Sequence, residues 1–273
     1  MSAARARRPG PGTPARPAAR GGGPGRGAAL LALLLALCWL APVQAARVTV
    51  AVAANFTDAT RDLVPLFERL TGHTARVSYG STGKLYAQIA NGAPFDVFLA
   101  ADAARPARAQ AEGLAVPGTR FTYAKGQLVL FGTTPGLFAD GGAFLRDGDF
   151  ARLAIANPKT APYGLAARQV LEHLGLWDEL SARIVRGDSI SQTFQFVATG
   201  NAAVGFVARS QMQAWQGGEG SQWLVPQTYY APIDQQAVLL RRAADDEAAR
   251  AFLDFLRGPQ ARAVILGYGY GLD

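Results

Sequence analysis

An uninterrupted apolar run, Val48 to Ala53, leads into a stretch where Phe56, Ala59, Leu63, Leu66, Phe67 and Leu70 recur at helical spacing until Gly72 stops them. The run reads as a strand covered on both faces. The same pair of signals then repeats to the end of the chain. Strand-like segments at 75–78, 97–100, 128–131, 153–156, 184–186, 203–207 and 237–240 alternate with helix-like ones at 85–91, 105–112, 164–174, 189–199, 245–256 and 259–266. Such alternation predicts an α/β fold with mainly parallel sheets flanked by helices.

The first 46 residues differ in kind. Met1 to Gly27 holds six arginines, no acidic residue and many Pro and Gly, and Ala28 to Ala41 is an uncharged run dominated by Leu and Ala. Val43-Gln44-Ala45 closes it as a small-x-small exit. Basic region, apolar region and cleavage site predict a secretory signal over residues 1–46, too short in its apolar part to span a bilayer. Cys38 falls within it and is discarded with it. Because six of the 27 basic residues and none of the 20 acidic ones lie there, the exported part carries about one net positive charge, and the pI of 9.9 belongs largely to the signal. Total charge therefore gives no ground for a nucleic-acid partner. The 227 residues that follow contain no cysteine, which excludes disulfides and thiolate metal sites, and at about 100 to 150 residues per domain they make two small domains.

In open α/β sheets ligands bind outside the carboxyl ends of strands, where helices begin. Four such turns carry small or polar residues: Ala53-Ala54-Asn55-Phe56, Gly80-Ser81-Thr82-Gly83, Asn157 to Gly164, and Gly187-Asp188-Ser189-Ile190. The first turn of a helix leaves backbone N–H groups without intrahelical partners and carries partial positive charge, so an anion suits it. Asn55 is a helix cap and an amide donor, and Ser81 and Thr82 add hydroxyl donors. Lys84 and Lys159 sit only at the edges, so a fully ionised oxyanion would meet neutral donors. Ordinary helix capping accounts for the same residues, and from pattern alone both readings stand. Stronger motifs fail. A Walker A loop needs glycine where Ser78 stands and Ser or Thr where Leu85 stands, and a nucleophile elbow needs glycine at Tyr79.

The runs Val48 to Phe56, Tyr79-Gly80-Ser81-Thr82-Gly83-Lys84-Leu85, Gly92 to Phe98, Asn157 to Gly164, Gly205-Phe206-Val207 and Phe255 to Ala261 together resemble the periplasmic molybdate-binding proteins of ABC importers. The resemblance covers the exported chain in order. It implies a two-lobed periplasmic binding protein fold of type II, with a first lobe over 47–128, a second over 129–232, and a return to the first over 233–273. It also implies a monomer in the periplasm that closes on molybdate or tungstate, needs no cofactor, and delivers the anion to a membrane permease. Carried over by position, the oxyanion ligands are Asn55, Ser81 with hydroxyl and backbone N–H, and Tyr163 and Ile190 through backbone N–H. Molybdenum is then held only through its oxygens. Many members carry a tyrosine where this chain has Ala208. Either the Tyr163 hydroxyl replaces that contact or the site makes fewer bonds.

Two alternatives remain on the sequence. Sulfate suits a donor-only site as well as molybdate does, whereas phosphate keeps a proton and calls for a carboxylate acceptor, with Asp58 the nearest and more readily a cap partner of Asn55. An exported hydrolase would need catalytic groups that the turns lack. His73 and His173 are the only histidines and stand beside Gly72 and near Gly175, where turn and helix-end roles are expected. The chain reads as a binding protein, not an enzyme.

Overall fold

The computed structural model describes residues 45–272; the signal expected over 1–46 lies outside them except for its last two residues. In chain order the strands are β1 (Arg47–Ala53), β2 (Thr74–Gly80), β3 (Val97–Leu99), β4 (Phe121–Gly126), β5 (Leu128–Gly132), β6 (Leu153–Ala156), β7 (Ile184–Gly187), β8 (Val204–Ala208), β9 (Ser221–Leu224) and β10 (Ile233–Leu239). The α-helices are α1 (Thr57–Thr71), α2 (Thr82–Ala90), α3 (Ala104–Ala111), α4 (Gly141–Asp147), α5 (Pro162–His173), α6 (Trp177–Leu180), α7 (Ile190–Ala198), α8 (Arg209–Gln213), α9 (Glu247–Arg257) and α10 (Pro259–Gly267).

Two five-stranded sheets form, in the orders β2-β1-β3-β10-β4 and β7-β6-β8-β5-β9. Each is parallel except for one strand. β10 runs antiparallel to β3 and β4, and β5 runs antiparallel to β8 and β9. Those two reversed strands directly follow the places where the chain changes sheet. It leaves the first sheet at Gln127, between β4 and β5, and returns over 225–232, between β9 and β10.

Each sheet carries its own helices and core, giving an α/β fold of two lobes. In the first, α1 lays Ala59, Leu63 and Phe67 on the sheet and ends at Gly72 (φ 74°), whose N–H returns to the Glu68 carbonyl. Helix α9 buries Ala249, Phe252, Leu253 and Leu256, starts on an Asp246 carboxylate that accepts from Ala249 N–H at 2.9 Å, and meets Phe67 edge-on through Phe252 at 5.0 Å. In the second, Leu130, Ile155, Val170, Leu171, Val204 and Phe206 form the centre. Ala53, Ala54 and Ala101 of the first lobe pack into that same cluster, so the lobes share an apolar seam.

Several elements depart from the sequence reading. Strands β4 and β9 and helix α4 have too few or too mixed apolar residues to show a period. Strand β10 starts four residues before the expected Ala237, because Asp234, Gln235 and Gln236 hide its beginning. Residues 54–56 form a 3-10 turn ahead of α1, so the helix cap position falls to Phe56 and not to Asn55. Asp58 is no cap partner either; its carboxylate pairs with Arg61 at 2.8 Å.

Candidate anion-binding site

Parallel pairing sets the turns side by side. β1 and β2 end in register at Ala53 and Gly80, which puts the Asn55 turn next to the Ser81 turn. β6 and β7 end in register at Ala156 and Gly187, which does the same for the turns leading to Tyr163 in α5 and Ile190 in α7. Direct bonds then join the two edges. Gly83 N–H donates to the Thr160 carbonyl at 2.8 Å, and Ser191 Oγ donates to the Ala54 carbonyl at 3.1 Å. At the exposed rim, Lys84 Nζ lies 2.8 Å from an Asp188 carboxylate oxygen, and Arg105 Nη2 donates to the Lys159 carbonyl at 3.0 Å.

Asn55, Ser81, Tyr163 and Ile190 are all buried at this seam. Tyr163 and Ile190 occupy the first turns of α5 and α7, where N–H groups have no intrahelical acceptor. Ser81 and Ser189 hold the same position, the residue just before a helix, and behave differently. Ser189 Oγ accepts from Gln192 N–H at 3.3 Å as an ordinary cap, whereas Ser81 Oγ makes no such bond. Among the described residues, only Ser81 Oγ and Thr160 Oγ1 are buried side-chain polar atoms without a hydrogen-bond partner. A buried hydroxyl without a partner costs about 1–3 kcal/mol, so it marks a place built to meet something else. Thr82, expected as a second donor, has its hydroxyl oxygen occupied in accepting the Ala101 N–H at 3.0 Å, which ties the turn to the end of β3.

The Asn55 side chain turns inward. Its Nδ2 donates to Gln235 Oε1 at 2.8 Å and to Tyr270 Oη at 3.0 Å, while the Asn55 backbone carbonyl accepts from Tyr270 Oη at 2.7 Å and Ser210 Oγ at 3.0 Å. Both amide protons are thereby used within the protein. The Tyr163 hydroxyl lies against Gly126 at the first crossover and accepts from Gln235 Nε2 at 3.2 Å. Gln235 and Tyr270 stand in none of the motifs that the sequence displays. Both are buried members of a polar network. Burial raises Tyr123, Tyr163 and Tyr270 above the ordinary phenol value, so each remains a neutral hydroxyl.

The histidines lie elsewhere. His73, expected in a surface turn, is buried; its Nδ1 accepts from Ala46 N–H at 3.4 Å and its ring stacks near Phe67. His173 is exposed and stacks on Tyr229 at 4.1 Å. Among the described residues no group of three or more His, Cys, Asp or Glu side chains is placed to hold a metal ion. The seam brings together the four polar turns, two from each lobe, with the unpartnered Ser81 hydroxyl among them.

Comparison with known proteins agrees with this architecture. The family of bacterial extracellular solute-binding proteins matches residues 48–271. The molybdate-binding protein ModA of Rhodobacter capsulatus is 51% identical over 244 residues, covering 89% of this chain and 95% of its own. The periplasmic molybdate-binding protein of Azotobacter vinelandii superposes with a TM-score of 0.79 at 44% identity, covering 83% of this chain and 99% of that one. The sulfate-binding protein SubI of Mycobacterium tuberculosis has a TM-score of 0.67 at 16% identity, a likeness of fold. This chain belongs to the bacterial extracellular solute-binding proteins, in the family that includes the molybdate-binding ModA proteins.

Proposed function

We propose that this protein is an extracytoplasmic solute-binding protein that captures molybdate, and tungstate with it, between its two lobes. The lobes comprise residues 47–127 with 233–273, and 128–232, one residue short of the expected boundary at 128 because Leu128 opens β5 of the second sheet. The protein then delivers the anion to the membrane permease of an ABC importer. It works as a monomer in the periplasm, without a cofactor or a nucleic-acid partner. The observation that carries this reading is the Ser81 hydroxyl: buried, without a protein partner, at the start of α2, and facing a lobe whose own first-turn amides come from Tyr163 and Ile190.

The chemistry favours a bare dianion. Oxygens of molybdate, tungstate or sulfate only accept hydrogen bonds at neutral pH, and the turns offer only donors. A phosphate-selective site calls for a facing carboxylate, and Asp58, the nearest, is engaged by Arg61. Donors from both lobes make the closed form favourable when the anion links them, which is the physical basis of capture. Asn55 contributes through its backbone, since its side-chain amide is spent on Gln235 and Tyr270.

Isothermal calorimetry with molybdate, tungstate, sulfate and phosphate in turn tests the reading. Molybdate and tungstate should bind tightly and with similar heats, and phosphate should not bind. At a hundredfold excess over Kd, ligand should stabilise the fold by about 2.7 kcal/mol. Tight sulfate binding with no molybdate heat would overturn the assignment.

A further inference from the structure

Gln235 has no exposed surface, yet it is polar and sits in the middle of the molecule. It lies in β10, the strand that receives the chain on its return from the second lobe, and the register of β10 against β4 shifts between Gln235 and Gln236. Such a bulge re-aims a side chain. Here it directs one amide to three partners, an amide and two phenols. Gln235 Oε1 accepts from Asn55 Nδ2 at 2.8 Å and from Tyr123 Oη at 3.1 Å, and Gln235 Nε2 donates to Tyr163 Oη at 3.2 Å. Asn55 and Tyr163 are residues proposed above to meet the anion from opposite lobes. Their side chains both end on the same amide.

The second lobe reaches that amide through a gap made for it. Tyr163 Oη would lie 2.2 Å from a Cβ on Gly126, the last residue of β4. Only glycine there lets the phenol pass the first crossover. Tyr270 and Ser210 add a second link from Asn55 to α8 of the other lobe, their hydroxyls 2.9 Å apart.

We infer that Gln235 is a positioning residue for ligand binding, a buried latch whose bond to Tyr163 joins the lobes and fixes the Asn55 and Tyr163 backbones in the geometry that receives the anion. It touches no ligand. Its effect falls on the rate of reopening, because the Gln235–Tyr163 bond must break before the lobes separate. The inference rests on the molybdate reading for its ligand but not for the latch itself.

The test compares wild type with Tyr163→Phe, which removes the hydroxyl and keeps the backbone N–H, with Gln235→Met, and with the double variant. Stopped-flow release is followed with whichever of molybdate, tungstate or sulfate the wild type binds. Tyr163→Phe should release ligand about tenfold faster, with association changed by less than about twofold. The double variant should release no faster than Gln235→Met alone, and ligand-free Tyr163→Phe should show a larger radius of gyration in small-angle scattering than wild type. A residue that served stability alone would lower the melting temperature and leave release rate and radius unchanged; that result overturns the latch. Wild type binding sulfate but not molybdate would sink the molybdate reading and leave the latch to be judged with sulfate. If wild type bound none of the three anions, an equal radius in Tyr163→Phe would overturn the latch and a larger one would support it.

Discussion

Gly83 and Thr160 meet across the cleft so closely that the Gly83 N–H reaches the Thr160 carbonyl at 2.8 Å, and a Cβ on Gly83 would stand 3.0 Å from both the Thr160 Cα and its carbonyl oxygen. Gly83 is the second residue of α2, where alanine is favoured over glycine by at most the roughly 1 kcal/mol seen in helix interiors. Gly83→Ala should therefore split two properties that usually move together. The ligand-free protein should melt at the same temperature or higher, while molybdate affinity falls at least several-fold because the closed lobes are pushed apart. Thermal melts with and without molybdate read both.

Ser81→Ala removes a buried hydroxyl that has no protein partner, so the ligand-free protein should be no less stable and should gain up to about 1–3 kcal/mol. A hydrogen bond to a charged acceptor is worth about 1.5–3 kcal/mol, so affinity should fall about ten- to hundredfold. Calorimetry on the variant measures it. An unchanged Kd would remove this side chain from the site.

The Lys84–Asp188 pair spans the rim with both side chains well exposed, at 49% and 70%. Exposed pairs contribute about 0–1 kcal/mol and are screened by salt. Lys84→Ala should speed ligand release by no more than about fivefold at low ionic strength, and the difference from wild type should shrink as salt is added. Release rates across a sodium chloride series would show whether the rim pair acts as described.

No titrating side chain is assigned to the ligand, so molybdate affinity should be flat from about pH 7 to 9. Stability behaves differently at the alkaline end. Burial holds the protons of Tyr123, Tyr163 and Tyr270 more firmly in the folded chain than in the unfolded one, raising each folded value. Their contribution is complete below the ordinary phenol value near 10 and is lost as pH rises beyond it toward the folded values. Urea denaturation at a series of pH values should show a plateau and then a fall starting at about pH 10.

Much of this was legible in the sequence, for identifiable reasons. Strands buried on both faces, such as Val48 to Ala53, and helices stopped by glycine, such as α1 at Gly72, announce themselves because their apolar periods are unbroken. The four turns were visible because parallel strands put all their polar, glycine-rich junctions at one edge. What stayed hidden depends on contacts between distant segments. Gln235, Tyr270 and Ser210 lie 180, 215 and 155 positions from Asn55, and no local pattern tells a buried amide from a surface one. Asn55 looked like a cap because its residue type suits one. The 3-10 turn moved the helix start to Thr57 and turned its side chain into the interior.

The two sheets follow one plan: a first strand, a second laid outside it, a third on the other flank, then a reversed strand and an outer one. In each, the turns proposed to face the ligand follow the two corresponding strands. The protein thus offers its guest the same grip twice, from opposing sides. A guest whose ends are alike can satisfy both grips at once, whereas a lopsided anion, charged at one end and greasy at the other, would reward one lobe and leave the other little reason to close.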